Sequence, residues 1–245
     1  MSLIVWDSIV SILYPRRCPV CGDIVIPASR LIHPACLSKL SPVKSPTCQK
    51  CGKEVFNDHQ EYCYDCTRHQ HSFEFGMSLL NYNEPARHSL AAIKYKNKRE
   101  YLDFYTAALN LRFGKAIRRL HAAALVPIPV HPARLRHRGF NQAEELAVRL
   151  SPLWNLPVLP LLIRSKKTAP QRDLNPAERL KNLQQAFAVP AFCDKEGHPI
   201  PLPQTIILID DIYTTGSTIE ACTRVLHRAG VPHIYFVTIC IGASS

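Results

Sequence analysis

The pattern of apolar and polar positions changes texture near residue 72. Beyond it, short continuous apolar runs alternate with longer stretches whose apolar residues recur at helical spacing. The runs at 75–82, 122–130, 158–163, 205–209 and 234–241 have strand length and many β-branched residues. Unbroken apolar runs of this kind are expected of strands buried on both faces of a parallel sheet. Helices are expected at 85–94, with Pro85 well placed in a first turn, at 100–120, at 141–153 and from Ser217 to about Gly230. Strands alternating with helices predict an α/β domain built on a parallel sheet. Residues 168–187 open as a polar, proline-containing loop, with a short helix starting at Pro176. Residues 194–203 read as a hairpin insertion.

Before residue 72 the periodicity is of a different kind. Cys18, His33, Cys48 and Cys63 fall 15 residues apart, and each opens a pair with two residues between its members: Cys18/Cys21, His33/Cys36, Cys48/Cys51 and Cys63/Cys66. A C-x-x-C turn aims two thiolates at one tetrahedral metal, and a second pair completes a closed structural zinc site. The simplest pairing is sequential, with one site from Cys18, Cys21, His33 and Cys36 and another from Cys48, Cys51, Cys63 and Cys66; interleaved pairs are the alternative the spacing leaves open. Four knuckles in register serve metal better than thiol exchange. The module has too few apolar residues to fold well without it. The expected division is therefore a module over 1–72, holding two structural Zn²⁺ ions, and an α/β domain over 73–245.

The chain has 245 residues, a net charge of +11 and ten cysteines, seven of them between positions 18 and 66. The charge favours anionic partners: nucleic acid, phosphorylated small molecules or acidic lipid. Residues 1–15 are apolar, but their only charge is Asp7 and the arginines Arg16 and Arg17 follow the run. A signal peptide has the opposite polarity, and the run is too short to span a bilayer. A packed helix and a cytoplasmic protein without a membrane span are expected.

The densest chemistry lies at 206–218, I-I-L-I-D-D-I-Y-T-T-G-S-T. Asp210 and Asp211 stand where the strand is expected to end, and two carboxylates there need a reason. Thr214, Thr215, Gly216, Ser217 and Thr218 follow, small and mostly hydroxylated. Ser217 and Glu220 have capping-box spacing, so a helix should start there. Backbone N–H groups of such a loop and helix start face an anion, and Gly216 lets the backbone approach it. A Walker B strand would require G-x-x-x-x-G-K-[ST] upstream, and no such string occurs.

Arg134, Arg136 and Arg138 lie in an expected loop after the 122–130 strand, with Gly139 turning into the next helix. Ligands of open α/β sheets bind at the carboxyl ends of strands, and guanidinium forks suit phosphate. The same three arginines with Phe140 make a candidate surface for single-stranded DNA, as do Lys94, Tyr95, Lys96, Lys98 and Tyr101, because such surfaces combine basic grooves with stacking aromatics.

The 206–218 stretch resembles the PRPP-binding signature of type I phosphoribosyltransferases. The whole chain resembles the ComF family, the competence-protein-F group that includes ComFC and GntX-like proteins. Four parts carry that likeness: the cysteine module, V-P-I-P-V-H-P-A-R-L-R-H-R-G-F-N-Q at 126–142, the T-x-x-Q-x-x-L-x-x-x-x-R-x-x-N-x-x-x-A-F run at 168–187, and I-L-I-D-D-I-Y-T-T-G-S-T at 207–218. His33 departs from the family, where a cysteine commonly stands. The resemblance implies a type I phosphoribosyltransferase-like sheet fused to a zinc-ribbon-like domain. It implies that Asp210 and Asp211 contact the ribose hydroxyls of PRPP, that Thr214 to Thr218 hold its 5′-phosphate, and that Mg²⁺ accompanies it. Lys94 and Arg138 are candidates for the pyrophosphate, and Arg172 and Arg179 for a mobile loop. A role in DNA uptake during natural transformation is implied, beside a ComFA-type helicase where one exists. Some members are linked instead to gluconate utilisation, and transfer of the phosphoribosyl group to an unknown base or amine is the alternative activity.

Overall fold

The computed structural model describes residues 15–164, 185–192, 196, 198 and 200–242. In chain order the elements are α1 (Pro34–Leu37), α2 (Tyr64–Arg68), β1 (Gly76–Asn81), α3 (Glu84–Lys96), a 3-10 turn (Arg99–Tyr101) leading into α4 (Leu102–Arg119), β2 (Ala124–Pro127), α5 (Pro132–Arg138), α6 (Gln142–Trp154), β3 (Ile163–Arg164), β4 (Phe187–Ala188), β5 (Thr205–Tyr213), α7 (Ser217–Arg228) and β6 (His233–Ile241). The expected N-terminal helix, the 168–184 run with Arg172 and Arg179, and Cys193 lie outside the described residues. Among the described residues, no helix is long and apolar enough to cross a membrane.

Four strands form one parallel sheet in the order β1-β6-β5-β2. The expected strand at 158–163 shrinks to a parallel bridge between Val158 and Leu125. Leu159 N donates to Leu125 O, but the next amide on that side, Leu161 N, turns back to donate to Leu159 O at 2.9 Å, and the ladder ends there. Ile163 and Arg164 pair instead with β4, antiparallel.

Strand alternation separates the two faces of β5. Ile207 and Ile209 join a core with Leu90, Leu102, Leu146 and Leu150, under α3, α4 and α6. Ile206 and Leu208 join a second core with Phe73, Phe236, Ile219 and Leu226, under α7. The same parity sends Asp211 toward α3 and α6, and Asp210 toward the opposite face. β5 runs four residues beyond its expected end at 209. On one side the ladder with β2 stops at Pro127 and Ile209. On the other, β6 continues the pairing through Asp210–Thr238, Ile212–Cys240 and Tyr213–Ile241. The acidic pair thus leaves the sheet on the β2 side while β6 still holds its backbone.

Two local expectations are corrected. The arginine stretch is a helix, α5, not a loop. Pro132 sits in its first turn, His131 Nδ1 accepts from Ala133 N at 3.1 Å, and Gly139 closes it at φ 80°. The capping box at Ser217 does not form. Gly216 is the cap residue, no side chain caps α7, and the Ser217 and Thr215 hydroxyls bond each other at 2.9 Å.

Glu220 is used elsewhere. Its carboxylate accepts from Ser72 N and Ser72 Oγ, each at 2.8 Å, and from Arg224 Nε at 2.5 Å, with His71 Nδ1 at 3.7 Å. It pins the segment that follows the cysteine module to the start of α7. The module also lies along the outer edge of β1. Pro42 bridges Leu80, Val43 N donates to Leu79 O at 3.1 Å, Asn81 N donates to Ser41 O at 2.7 Å, and Arg112 donates to Val43 O. These bonds cover a strand edge that would otherwise offer unpaired backbone groups.

Burial alone would raise the Glu220 pKa, but His71, the Ser72 amide and Arg224 outweigh it and hold it at about 2. A carboxylate depressed by folding stabilises the fold above its unfolded pKa, and that stability drains away as pH falls through the folded value. Urea unfolding should show stability declining between about pH 4.5 and about pH 2. Glu220→Gln should remove much of that slope and cost roughly 1–3 kcal/mol at neutral pH. An unchanged pH profile in the variant would remove Glu220 from this role.

Candidate functional site

The cysteine module brings its ligands together in sequential sets. Cys18, Cys21, His33 and Cys36 form one cluster and Cys48, Cys51, Cys63 and Cys66 the other, with ligand atoms all within 4.8 Å of one another. A tetrahedral ion with Zn–S bonds of about 2.3 Å puts neighbouring ligand atoms about 3.7 Å apart. Cys51 Sγ lies 3.5 Å from Cys63 Sγ, and Cys21 Sγ lies 3.4 Å from His33 Nδ1. Both donor sets therefore fit a structural zinc ion. His33 carries the further mark of a ligand: its Nε2 lies 3.0 Å from Ile24 O. That carbonyl accepts Nε2–H and leaves the Nδ1 lone pair facing the cluster, the outer-shell bond that metal-binding histidines make.

The acidic pair is built from three elements. Asp211 is buried and receives Lys94 Nζ from α3 on Oδ2 and Gln142 Nε2 from α6 on Oδ1, the latter at 3.1 Å. Asp210 Oδ1 accepts from Asp211 N at 2.8 Å. Burial and the neighbouring charge of Asp211 push the Asp210 carboxyl well above the usual aspartate range. Burial would do the same to Asp211, but Lys94 and Gln142 overcome it and hold that carboxyl below the range. Lys94 is likewise desolvated, yet Asp211 keeps its ammonium form favoured. One of the two acids is thus held as a carboxylate and the other takes up a proton more readily.

Gln142 ends the R-G-F-N-Q stretch, whose residues divide their work. Asn141 caps α6 by accepting from Ala143 N at 3.2 Å, and its Nδ2 donates to Ile128 O at 3.0 Å beyond the end of β2. Arg138 donates to Gln142 Oε1 and lies 5.5 Å from the ring centre of Tyr95. Tyr95, Arg138, Gln142, Asp211 and Lys94 are therefore one chain of contacts. Gln142 is a site residue that sequence reasoning missed, since its spacing from the acids carries no local signal.

Beside the acids, Thr214 and Thr215 are exposed, and Ser217 and Thr218 half-buried. Gly216 adopts φ +76°, and a Cβ there would meet Tyr213 Oη at 2.3 Å, so only glycine fits the turn. The first amides of α7 have no helical acceptor and no side-chain cap, which leaves them open to an anion.

On the Asp210 face stands a second residue the sequence did not single out. Arg164 is partly buried, and its Nε has no hydrogen-bond partner among the described residues. Burial and the neighbouring charge of Arg134 hold its pKa below the usual arginine value. Two guanidinium groups that repel each other suit an anion between them. Arg134 and Arg136 are exposed on α5. Phe140, expected as a stacking surface, is 6% exposed, packed in the core with Arg99 5.0 Å from its ring centre. Buried in the core with the Arg99 guanidinium over its ring, it offers a base no face to stack on. Tyr101 is buried as well. Tyr95, 73% exposed, is the open aromatic of these two sets.

Metal analysis of the purified protein should find two zinc ions per chain, one for each cluster. His33→Ala should lower the content to one and leave the protein soluble. Cys48→Ser, which opens a buried site, should cost solubility. A content of one in the parent protein would remove the His33 site, and none would remove both.

Residues 9–67 match the family model described as the Double zinc ribbon domain. Competence protein ComFC of Bacillus subtilis is 30% identical over 202 residues, covering 80% of this chain and 78% of that protein. Competence protein F of Haemophilus influenzae is 29% identical over 194 residues, 77% of this chain and 82% of its own. DNA utilization protein YhgH of Escherichia coli K12 is 23% identical over 211 residues, 83% of this chain and 87% of its own. The likeness to competence proteins spans most of the chain, and a double zinc ribbon stands ahead of the parallel sheet, as that resemblance implied: the chain belongs to the ComF family.

Proposed function

We propose that this protein binds PRPP with Mg²⁺ at the carboxyl end of β5, binds single-stranded DNA on its basic face, and acts in DNA uptake during natural transformation. The observation that carries the PRPP reading is an acid pair, Asp211 buried and Asp210 half-buried, beside an uncapped, hydroxyl-lined helix start. Asp210 and Asp211 are placed to accept from ribose hydroxyls, and the amides and hydroxyls of 214–218 to hold a 5′-phosphate. Lys94 and Arg138 lie on the side where pyrophosphate charge would need neutralising. Bound Mg²⁺ would supply further neutralisation of that charge. Arg172 and Arg179 remain assigned to a covering loop on the resemblance alone. The DNA reading draws on the net charge, on Arg134 and Arg136 exposed on α5, and on the names of the relatives, which speak of competence and DNA utilization. Tyr95 replaces Phe140 as its stacking residue. Thiolate metal sites suit a reducing compartment, and we assign the protein to the cytoplasm.

Phosphoribosyl transfer is the second reading, favoured by the fixed Lys94–Asp211 pair. Preorganised charge of this kind stabilises a departing pyrophosphate. The C1–oxygen bond would break toward pyrophosphate and a C1–nitrogen bond form to a base or amine, whose proton passes to solvent. The domain division at 72/73 is kept as part of the proposal, with the modules joined through Ser72.

Calorimetry should detect PRPP binding that requires Mg²⁺. Asp210→Asn with Asp211→Asn should weaken it at least tenfold, the order expected when charge-assisted hydrogen bonds are lost. Parent-like affinity in the double variant would misplace the site. Anisotropy titrations with short single-stranded DNA should show affinity falling steeply with salt, and Arg134→Ala with Arg136→Ala should flatten that slope. Tyr95→Ala should lose roughly 1–3 kcal/mol if its ring stacks on bases. DNA affinity indifferent to salt and to these residues would leave the transfer reading, tested by pyrophosphate release against a panel of bases and amines.

A further inference from the structure

The second zinc ribbon and the phosphate loop share one core. We propose that Tyr213 is a positioning residue through which metal bound by Cys48, Cys51, Cys63 and Cys66 sets the loop at 214–218. The naming of PRPP as the loop's ligand rests on the preceding reading; the mechanical coupling does not.

The path is continuous and made of close packing. Cys48, Cys51 and Cys63 are buried in the same core as Phe73, Phe236 and Tyr213. Lys50, inside the knuckle, accepts from Gly76 N through its backbone oxygen at 2.9 Å and lays its ammonium 5.5 Å from the Phe73 ring centre. The knuckle glycine, Gly52, adopts φ +75°, and a Cβ on it would meet Gly76 O at 2.4 Å; one on Gly76 would meet the Phe236 ring at 1.9 Å. The knuckle, the start of β1 and Phe236 thus touch with no room for a methyl group between them. Phe73 meets Phe236 edge-on at 5.0 Å, and Phe236 stacks on Tyr213 at 5.0 Å with the rings 2° from parallel. The hydroxyl end of Tyr213 then lies against Gly216.

A second tie runs beside the first. Glu220, in the first turn of α7, holds Ser72, six residues after Cys66. Both the loop and the helix that receives the phosphate are therefore seated on the second ribbon. The first ribbon has a small core of Cys18, Val25 and Cys36, which Val20 and Ile32 join to the core under α3, α4 and α6, on the sheet face opposite Tyr213; it also meets the start of α4 through Arg16 and Asp103 at 3.1 Å. It has no comparable route to the loop among the described contacts. Dense cores transmit displacement because they have no slack to absorb it. Releasing the second metal frees the knuckle, then the aromatic stack, then the loop.

Hydrogen exchange of the full-length, zinc-loaded protein tests this without ligand. The probe is the peptide spanning the loop and the first turn of α7, where Glu220 N donates to Gly216 O at 2.8 Å. In Cys66→Ala, zinc content should drop by one and this peptide should exchange roughly tenfold faster, while β2 keeps its protection. In Tyr213→Leu, zinc content should stay unchanged and the same peptide should lose protection; Tyr213→Phe, which keeps the ring, should restore it. The coupling is overturned if the peptide keeps its protection in either the Cys66 or the leucine variant. It is also overturned if β2 loses protection in step with the loop, since that is loosening of the whole fold. Calorimetry with PRPP and Mg²⁺ then separates the two ideas. Affinity that falls along with loop protection supports both. A parent protein that never binds PRPP overturns the ligand assignment and leaves the exchange result to decide the coupling.

Discussion

The structure of the candidate site depends on a carboxylate held almost out of reach of bulk water. Asp211 sits at the end of the central strand, and its charge persists there because Lys94 and Gln142 meet its two oxygens. An unpaired buried carboxylate would neutralise or force the fold to rearrange. Lys94 is supplied by α3 and Gln142 by α6, so the position of each helix over the sheet is tied to one side chain of β5. The R-G-F-N-Q turn, the cap of α6 and the lie of Arg138 all follow from the need to deliver Gln142 to that point.

On the other face, the constraint is steric. Three glycines, Gly52, Gly76 and Gly216, stand where a β-carbon would strike a neighbour. They let the zinc knuckle press on β1, β1 press on Phe236, and the loop at 214–218 rest on Tyr213. Electrostatics organises the acid pair from one side of the sheet and close packing organises the loop from the other. The two meet at residues 210–216.

Much of this was legible along the chain. Helical and strand periodicity located the main sheet and its helices, because both faces of the central strands are buried and the apolar runs are unbroken. The 15-residue spacing of the knuckles predicted the metal sets, since ligand spacing is a local property. The misreadings have two physical origins: some depended on a partner distant in sequence, others on a local hydrogen bond that was passed over. Ser217 and Glu220 have the spacing of a capping box, but Ser72 outcompetes the helix end for the carboxylate. Phe140 looked like an exposed aromatic in a basic stretch, yet its ring is buried in the core beneath Arg99. The arginines of α5 looked like a loop because the capping role of His131 was not recognised. Val158 to Ile163 looked like a strand, but the Leu161 amide turns back on Leu159 O instead of reaching β2. Gln142 closed a family-like stretch without a role and Arg164 gave no signal, because their importance comes from where the sheet puts Asp210 and Asp211.

The two metal clusters differ in how they meet solvent. In the first, Cys21 is exposed and His33 half-buried; in the second, three of four ligands are buried and Lys53 is folded over α2 through Asp65 at 2.7 Å. Chelators and competing ions reach a metal by replacing its outermost ligand first, so the clusters should exchange their ions at different speeds. A cell short of zinc would empty the peripheral site while the one beneath the sheet stayed filled. The chain would then pass through a half-metallated form whose core is intact, giving it a reserve against scarcity that two equally accessible sites would lack.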